Sequence, residues 1–303
     1  MAAIIASLAP LRINSTVLAV ERIGVSAGIV SELHQHSGQL YPTADRISGA
    51  VPRLTFSTPF LAAYSLIGLT VINATVLDIY LTKYGALIPT AGSTHPKLSL
   101  AASATAACHI TGASVNQDGI LMADVEVFPL SADGTTHPLS YSTSNALPTL
   151  ASQPTKHTLG PITINGTTLP GVGGLQVDLG QQLLAERADG CLYPIVAARV
   201  GGQPKITIPH RDPFTLLSTL GLTGVNLASN LVAYARPYDD TTNVVTTAAT
   251  AVSFTIASGR AKPVELTAEQ GAVATLGIEV AGLSSSSTHP IAVASNATAP
   301  SVA

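Results

Sequence analysis

Pro52-Arg53-Leu54-Thr55-Phe56 returns at 204–208 as Pro204-Lys205-Ile206-Thr207-Ile208. In both stretches apolar residues alternate with polar ones, the period of a strand with one face in a core and the other facing outward. Working outward, Leu40-Tyr41-Pro42 recurs as Leu192-Tyr193-Pro194, an offset of 152 between Tyr41 and Tyr193. Pro59-Phe60 meets Pro213-Phe214, Gly68-Leu69 meets Gly221-Leu222, and Tyr80 and Tyr84 meet Tyr234 and Tyr238. Farther on, Val125-Glu126-Val127 meets Ile278-Glu279-Val280, and Thr136-His137-Pro138 meets Thr288-His289-Pro290. Ordered recurrence with so little drift reads as one unit of about 150 residues duplicated in tandem. The expected division is 1–150 and 151–303, with the polar, proline-containing stretch 148–156 (PTLASQPTK) as linker.

Each unit reads as mainly β. Short aliphatic or β-branched segments bounded by turn residues are expected as strands at 54–57, 76–81, 97–101, 107–110 and 121–130. Their counterparts lie at 205–209, 231–235, 252–257, 263–267 and 273–283. This spacing suggests a small sandwich or barrel in each half. One segment per half departs from it. Phe60, Ala63, Tyr64 and Ile67 fall at helical spacing, with Pro59 at the entry and Gly68 where a C-cap belongs. Asp212-Pro213 opens the matching segment and Gly221 closes it, so each half carries one short helix. The Ser/Ala-rich tail 284–303 reads either as an arm on a neighbour or as frayed chain.

Composition narrows the function classes. Charged residues make up 10% of the chain against about 25% in ordinary soluble domains, and mean hydropathy is +0.40. Gly, Pro, Ser and Thr interrupt every apolar run, so no membrane insertion is expected. The apolar surface is therefore expected to meet other protein chains. A net charge of −3 excludes a strongly basic nucleic-acid binder, though not a neutral surface past which DNA slides. The N-terminal segment lacks the basic start of a secretory signal. Cys108 and Cys191 fall outside the matched positions and read as free thiols.

The P-loop and His-Glu-x-x-His patterns are missing. His34-Gln35-His36 could offer two imidazoles to a metal, but nothing nearby completes a site, and it reads as a solvated loop. Cys108 and His109 are adjacent on a strand and so point to opposite faces, which favours a structural role. Gly171-Val172-Gly173-Gly174 reads as a flexible connector rather than a phosphate cradle. His137-Pro138 and His289-Pro290 read as a shared turn after the last strand of each half. The four Asn-x-Ser/Thr sequons, at Asn14, Asn73, Asn165 and Asn296, are read as chance in so Ser/Thr-rich a chain. No enzymatic activity, metal or cofactor is expected.

Charges inside the strands recur. The period of two places Asp124 and Glu126 on one face and Val125 and Val127 on the other. Glu279 is equivalent to Glu126, while Gly277 replaces Asp124. Arg53 and Lys205 are likewise equivalent, with Thr55 and Thr207 following on the same face. A solvated sheet face explains this pattern; so does a polar face repeated around an aqueous channel built from many copies.

With its early strand (12–18 and 162–169), a long Gly/polar connection, a strand entered through Gly-x-x-Pro-Arg/Lys-x-Thr and a short helix ending in Gly-Leu (Leu-x-Gly-Leu in the first half), each half resembles the tail tube proteins of long-tailed bacteriophages. The resemblance rests on 49–69 with 76–84 and on 201–222 with 231–238, a rhythm of elements rather than a fingerprint. It implies a two-sheet β barrel or sandwich with a flanking helix, whose inner sheets join around a sixfold axis into a tube that DNA crosses during ejection. Most members carry one such domain and form hexamers; a duplicated member would make a pseudo-sixfold ring from three chains. The resemblance further implies location in the virion tail after assembly in the host cytoplasm, with the tape measure, tail terminator and distal tail proteins as partners. On this reading Arg53, Glu126, Lys205 and Glu279 face the lumen. A duplicated capsid, decoration or spike protein would share the composition and is the alternative.

Overall fold

The computed structural model describes residues 6–34, 37, 41, 44–83, 94–149, 155–238, 250–267, 274–284 and 288–300. The first half runs β1 (Ala6–Ile13), β2 (Thr16–Leu18), β3 (Arg22–Ser26), β4 (Ile29–His34), β5 (Ala44–Ala50), β6 (Arg53–Pro59) and α1 (Phe60–Ile67). It continues with β7 (Ile72–Ala74), β8 (Leu77–Lys83), β9 (Thr94–Leu100), β10 (Thr105–Asn116), β11 (Met122–Leu130) and β12 (Leu139–Ala146). The second half repeats this order: β13 (Lys156–Ile164), β14 (Thr167–Thr168), β15 (Gly174–Asp178), β16 (Gln182–Glu186), β17 (Val196–Val200), β18 (Lys205–His210) and α2 (Pro213–Leu220). Then come β19 (Val225–Asn226), β20 (Leu231–Tyr238), β21 (Ala251–Ile256), β22 (Gly259–Thr267), β23 (Thr275–Gly282) and β24 (Ile291–Ala297).

The pairing repeats as well. An outer sheet ordered β12-β9-β8-β1-β2 is matched by β24-β21-β20-β13-β14. The inner strands of both halves form a single ten-stranded sheet, because β15 of the second half pairs antiparallel with β10 of the first. The hairpins β4–β5 and β16–β17 stand apart as two-stranded sheets. The fold is mainly β, and among the described residues its sheets stay open rather than closing into the barrel that was one of the two expected forms.

Alternation explains the inner sheet. Along β6, Leu54, Phe56 and Thr58 are buried while Arg53 and Thr55 are exposed. Leu11, Ile79, Leu54 and Val125 from the two layers of the first half share one core with Ile162, Ile206, Phe254 and Ile278 of the second. Helix α1 ties the halves together. Phe60 stacks on Tyr64 at 5.5 Å and meets Phe254 edge-on at 5.0 Å between ring centroids, and the Tyr64 hydroxyl donates to the Val293 carbonyl. Both helices end on glycines with positive φ, Gly68 (66°) and Gly221 (62°), where a side chain would strain the backbone.

Several sequence expectations need correction. The early strand at 12–18 is a hairpin, β1–β2, turned at Asn14 with φ of 52°, and Asn165 turns β13–β14 at the same angle. Each asparagine is held by its own side chain: Asn14 Oδ1 accepts from the Thr75 and Val76 amides, and Asn165 Oδ1 from those of Ala228 and Ser229. The long connections contain three strands each, and Gly174 begins β15 rather than closing a flexible connector. The His-Pro turns hold, with Nδ1 of His137 and His289 bonded within the turn, yet a strand follows each. In the tail, β24 is an edge strand of the second outer sheet. The helices match at an offset of 153, since Phe60, Ala63 and Ile67 and then Pro213, Leu216 and Leu220 are buried. Phe214 is exposed and is therefore the counterpart of Leu61, not of Phe60. Leu40, Pro42, Tyr84, Gln35, His36, linker residues 150–154 and tail residues 285–287 and 301–303 lie outside the described residues.

Both cysteines are free. Among the described residues no helix is long and apolar enough to cross a membrane.

Candidate functional site

Register brings the four candidate residues onto one face of the ten-stranded sheet. Glu126 pairs with Thr55 across β11–β6, and Glu279 pairs with Thr207 across β23–β18. Arg53 Nε bonds to Glu126 Oε1. In the second half Lys205 Nζ lies 3.2 Å from Glu279 Oε2, and Lys262 Nζ lies 2.9 Å from Oε1. These side chains line one open hollow of about 780 Å³ that spans the junction of the halves, together with Asp178 of β15. Its charged lining is Arg53, Lys205 and Lys262 against Glu126, Glu279 and Asp178, three of each sign.

The equivalent clusters differ in one partner. His109 lies opposite Glu126 in β10–β11, whereas Lys262 lies opposite Glu279 in β22–β23. His109 is fully buried, with Nε2 3.5 Å from Glu126 Oε2. Burial pushes its pKa down to about 4, against the pull of the nearby Gln181 backbone and helped by the charges of Arg53 and Arg199, so it is neutral at pH 7. Burial also raises the Glu126 carboxyl, while Arg53 pulls it back. Glu279 is shifted downward, first by its hydrogen bond from Lys262.

Glu126 is more enclosed than an outward strand position implies, and the reason lies in the other half. Beyond Glu126 the same face of β11 carries Phe128 and Leu130, both buried. With Ala107 they form a small cluster against which Leu183, Ala185 and Ala197 of the β16–β17 hairpin pack. Leu192 and Tyr193 in the loop of that hairpin both donate their amides to the Gly134 carbonyl, at 2.8 and 2.9 Å. Tyr193 also meets His137 edge-on at 5.0 Å. Sequence reasoning missed Lys262, Asp178 and this hairpin. Lys262 was legible by carrying the repeat from His109; the covering of Glu126 was not.

The thiol of Cys108 is buried and pushed up to about 12, which makes it a poor nucleophile beside a His109 that points to the opposite face. No group of three or more metal-ligating side chains occurs among the described residues. The face offers paired charges on a long sheet. The chain matches no family model, and no curated protein matches it in sequence.

Proposed function

We propose that this protein is a structural subunit that self-associates into stacked rings and builds the tail tube of a long-tailed bacteriophage, through which DNA passes. The observation that carries the reading is the ten-stranded sheet. Among the described residues it crosses from one half to the other without interruption, ends in an unpaired edge on each side, and presents a single polar face. In the hollow, Arg53, Lys205 and Lys262 each lie next to a carboxylate, which suits passage rather than retention: a phosphate would have to displace a carboxylate already in place, so little counterion release rewards binding there. Arg53, Glu126, Lys205 and Glu279 are assigned to the lumen, and three chains to a ring, as the duplication implies. Negative-stain microscopy of the purified protein tests this directly. Stacked rings with a central hole are expected, whereas closed shells or isolated knobs would transfer the chain to the capsid, decoration or spike class.

A further inference from the structure

The junction between the halves includes three contacts with exposed counterparts elsewhere in the same chain. The first is strand pairing: Gly112↔Asp178, Ala113↔Val177 and Ser114↔Gln176 join β10 to β15. By the repeat, β22 corresponds to β10 and β3 to β15. The β-bulge that separates Ile110 from Gly112 recurs between Pro263 and Glu265, which fixes the alignment to the residue. The positions equivalent to Ala113 and Val177 are Leu266 and Val25. The first pair is 3% and 2% exposed; the second is 57% and 47% exposed.

The second contact is the hairpin over the small cluster. Leu130, 6% exposed beneath β16–β17, corresponds to Leu283, which is 62% exposed. The hairpin equivalent to β16–β17 is β4–β5, in which Leu33 pairs with Asp45 as Ala185 pairs with Ala197. The exchanged residues are complementary. Within that cluster Phe128 and Ala185 correspond to Ala281 and Leu33 on the counterpart surfaces. Ala107 and Ala197 correspond to Arg260 and Asp45. Large is traded for small and a neutral pair for a charged one, as two surfaces shaped to meet each other require. Tyr41, the equivalent of Tyr193, is exposed as well. The third contact is α1 against β21 and β24; Val293, whose carbonyl accepts from Tyr64, corresponds to exposed Tyr141 on β12, and α2 carries exposed Phe214 at the position of Leu61.

The geometry points to a second copy of this chain as the occupant of these surfaces. β3 of one copy pairs antiparallel with the Glu265–Thr267 end of β22 in the next, in the register Ser26↔Glu265, Val25↔Leu266 and Gly24↔Thr267. The β4–β5 hairpin of the first copy closes over Arg260, Ala281 and Leu283 of the second. This deepens the proposed ring by specifying its joint; only the claim that successive joints close on themselves rests on that reading.

The test is a Val25→Cys, Leu266→Cys double variant, oxidised in the assembled state, run on a non-reducing gel and viewed by microscopy. Both residues are exposed in the single chain, so the substitutions leave its core intact. A ladder of covalent oligomers is expected from the double variant, with none from either single variant or from the off-register pair Val25→Cys, Val264→Cys. A ladder without central holes keeps the joint and overturns the tube. Holes without a ladder keep the tube and overturn this register. Hydrogen exchange on the unmodified protein supplies an independent reading: amides of 22–26 and 264–267 should slow at least about tenfold on assembly, and unchanged exchange there overturns the joint.

Discussion

His109 and Lys262 occupy the same position in the two halves, yet one is a buried neutral imidazole and the other an exposed ammonium. Between its ordinary value of 6.5 and its folded value of about 4, the unfolded chain takes up a proton that the native His109 refuses. Stability therefore falls as the pH drops through that window and levels off below it. His157, also lowered by burial, acts in the same direction; Glu126, raised by burial, acts in the opposite one. A His109→Gln variant should lose less stability between pH 6.5 and 4.5 than the parent, the difference reaching at most about 3 kcal/mol. Urea melts at several pH values measure this, and parallel curves for the two proteins would contradict a neutral His109. Thiol chemistry offers a second check at the same scale. With Cys108 buried and its thiol at about 12, an aromatic disulfide reagent should titrate Cys191 in the native protein and Cys108 only after denaturation.

Among the elements, α1 and α2 look alike in sequence and differ in what they hold together. Phe60 sits between Tyr64 and Phe254 in the shared core, so Phe60→Ala should cost about 3 to 5 kcal/mol in chemical denaturation. Phe214→Ala, at the exposed position, should change the stability of the single chain by no more than about 0.5 kcal/mol. The opposite ranking would restore the alignment of Phe214 with Phe60. Strands β6, β18 and the start of β20 were legible in the sequence because one face is buried and the pattern alternates, β8 and β11 because they are short runs rich in aliphatic and β-branched residues. Strands β3 to β5 and β15 to β17 were not. Most of them bury little on either face, which leaves no strong period to read; β15 does alternate, with Leu175 and Val177 buried and Gln176 and Asp178 exposed, but it is short and follows the glycine run 171–174. Glu126 shares a face with Asp124, as the period of two implies, but its enclosure depends on Phe128 and on a hairpin more than fifty residues away in the chain, information that no local pattern contains.

For the whole molecule, the compensated polar face makes a prediction about transport. Asp124→Lys with Glu279→Lys removes two carboxylates from accessible positions, and particles assembled from this variant should retain DNA in a salt-dependent way. Ejection assays at two ionic strengths measure it, and unimpeded release would remove these residues from the lumen. Glu126→Lys is a poorer probe, because it would bury a cation beside Arg53 and His109 at a cost of about 3 to 5 kcal/mol. The exposed apolar side chains of the two free edges, Val25 and Leu266 among them, make the separated chain prone to association.

The β10–β15 pairing also bears on how quickly a ring can form. Because both partners belong to one polypeptide, that joint forms at a local concentration fixed by the tether rather than by the amount of protein in solution. Half of the joints in a ring would then be complete before any two molecules meet. Dilution would act only on the other half, giving assembly a lower reaction order and a lower critical concentration than six separate domains would have.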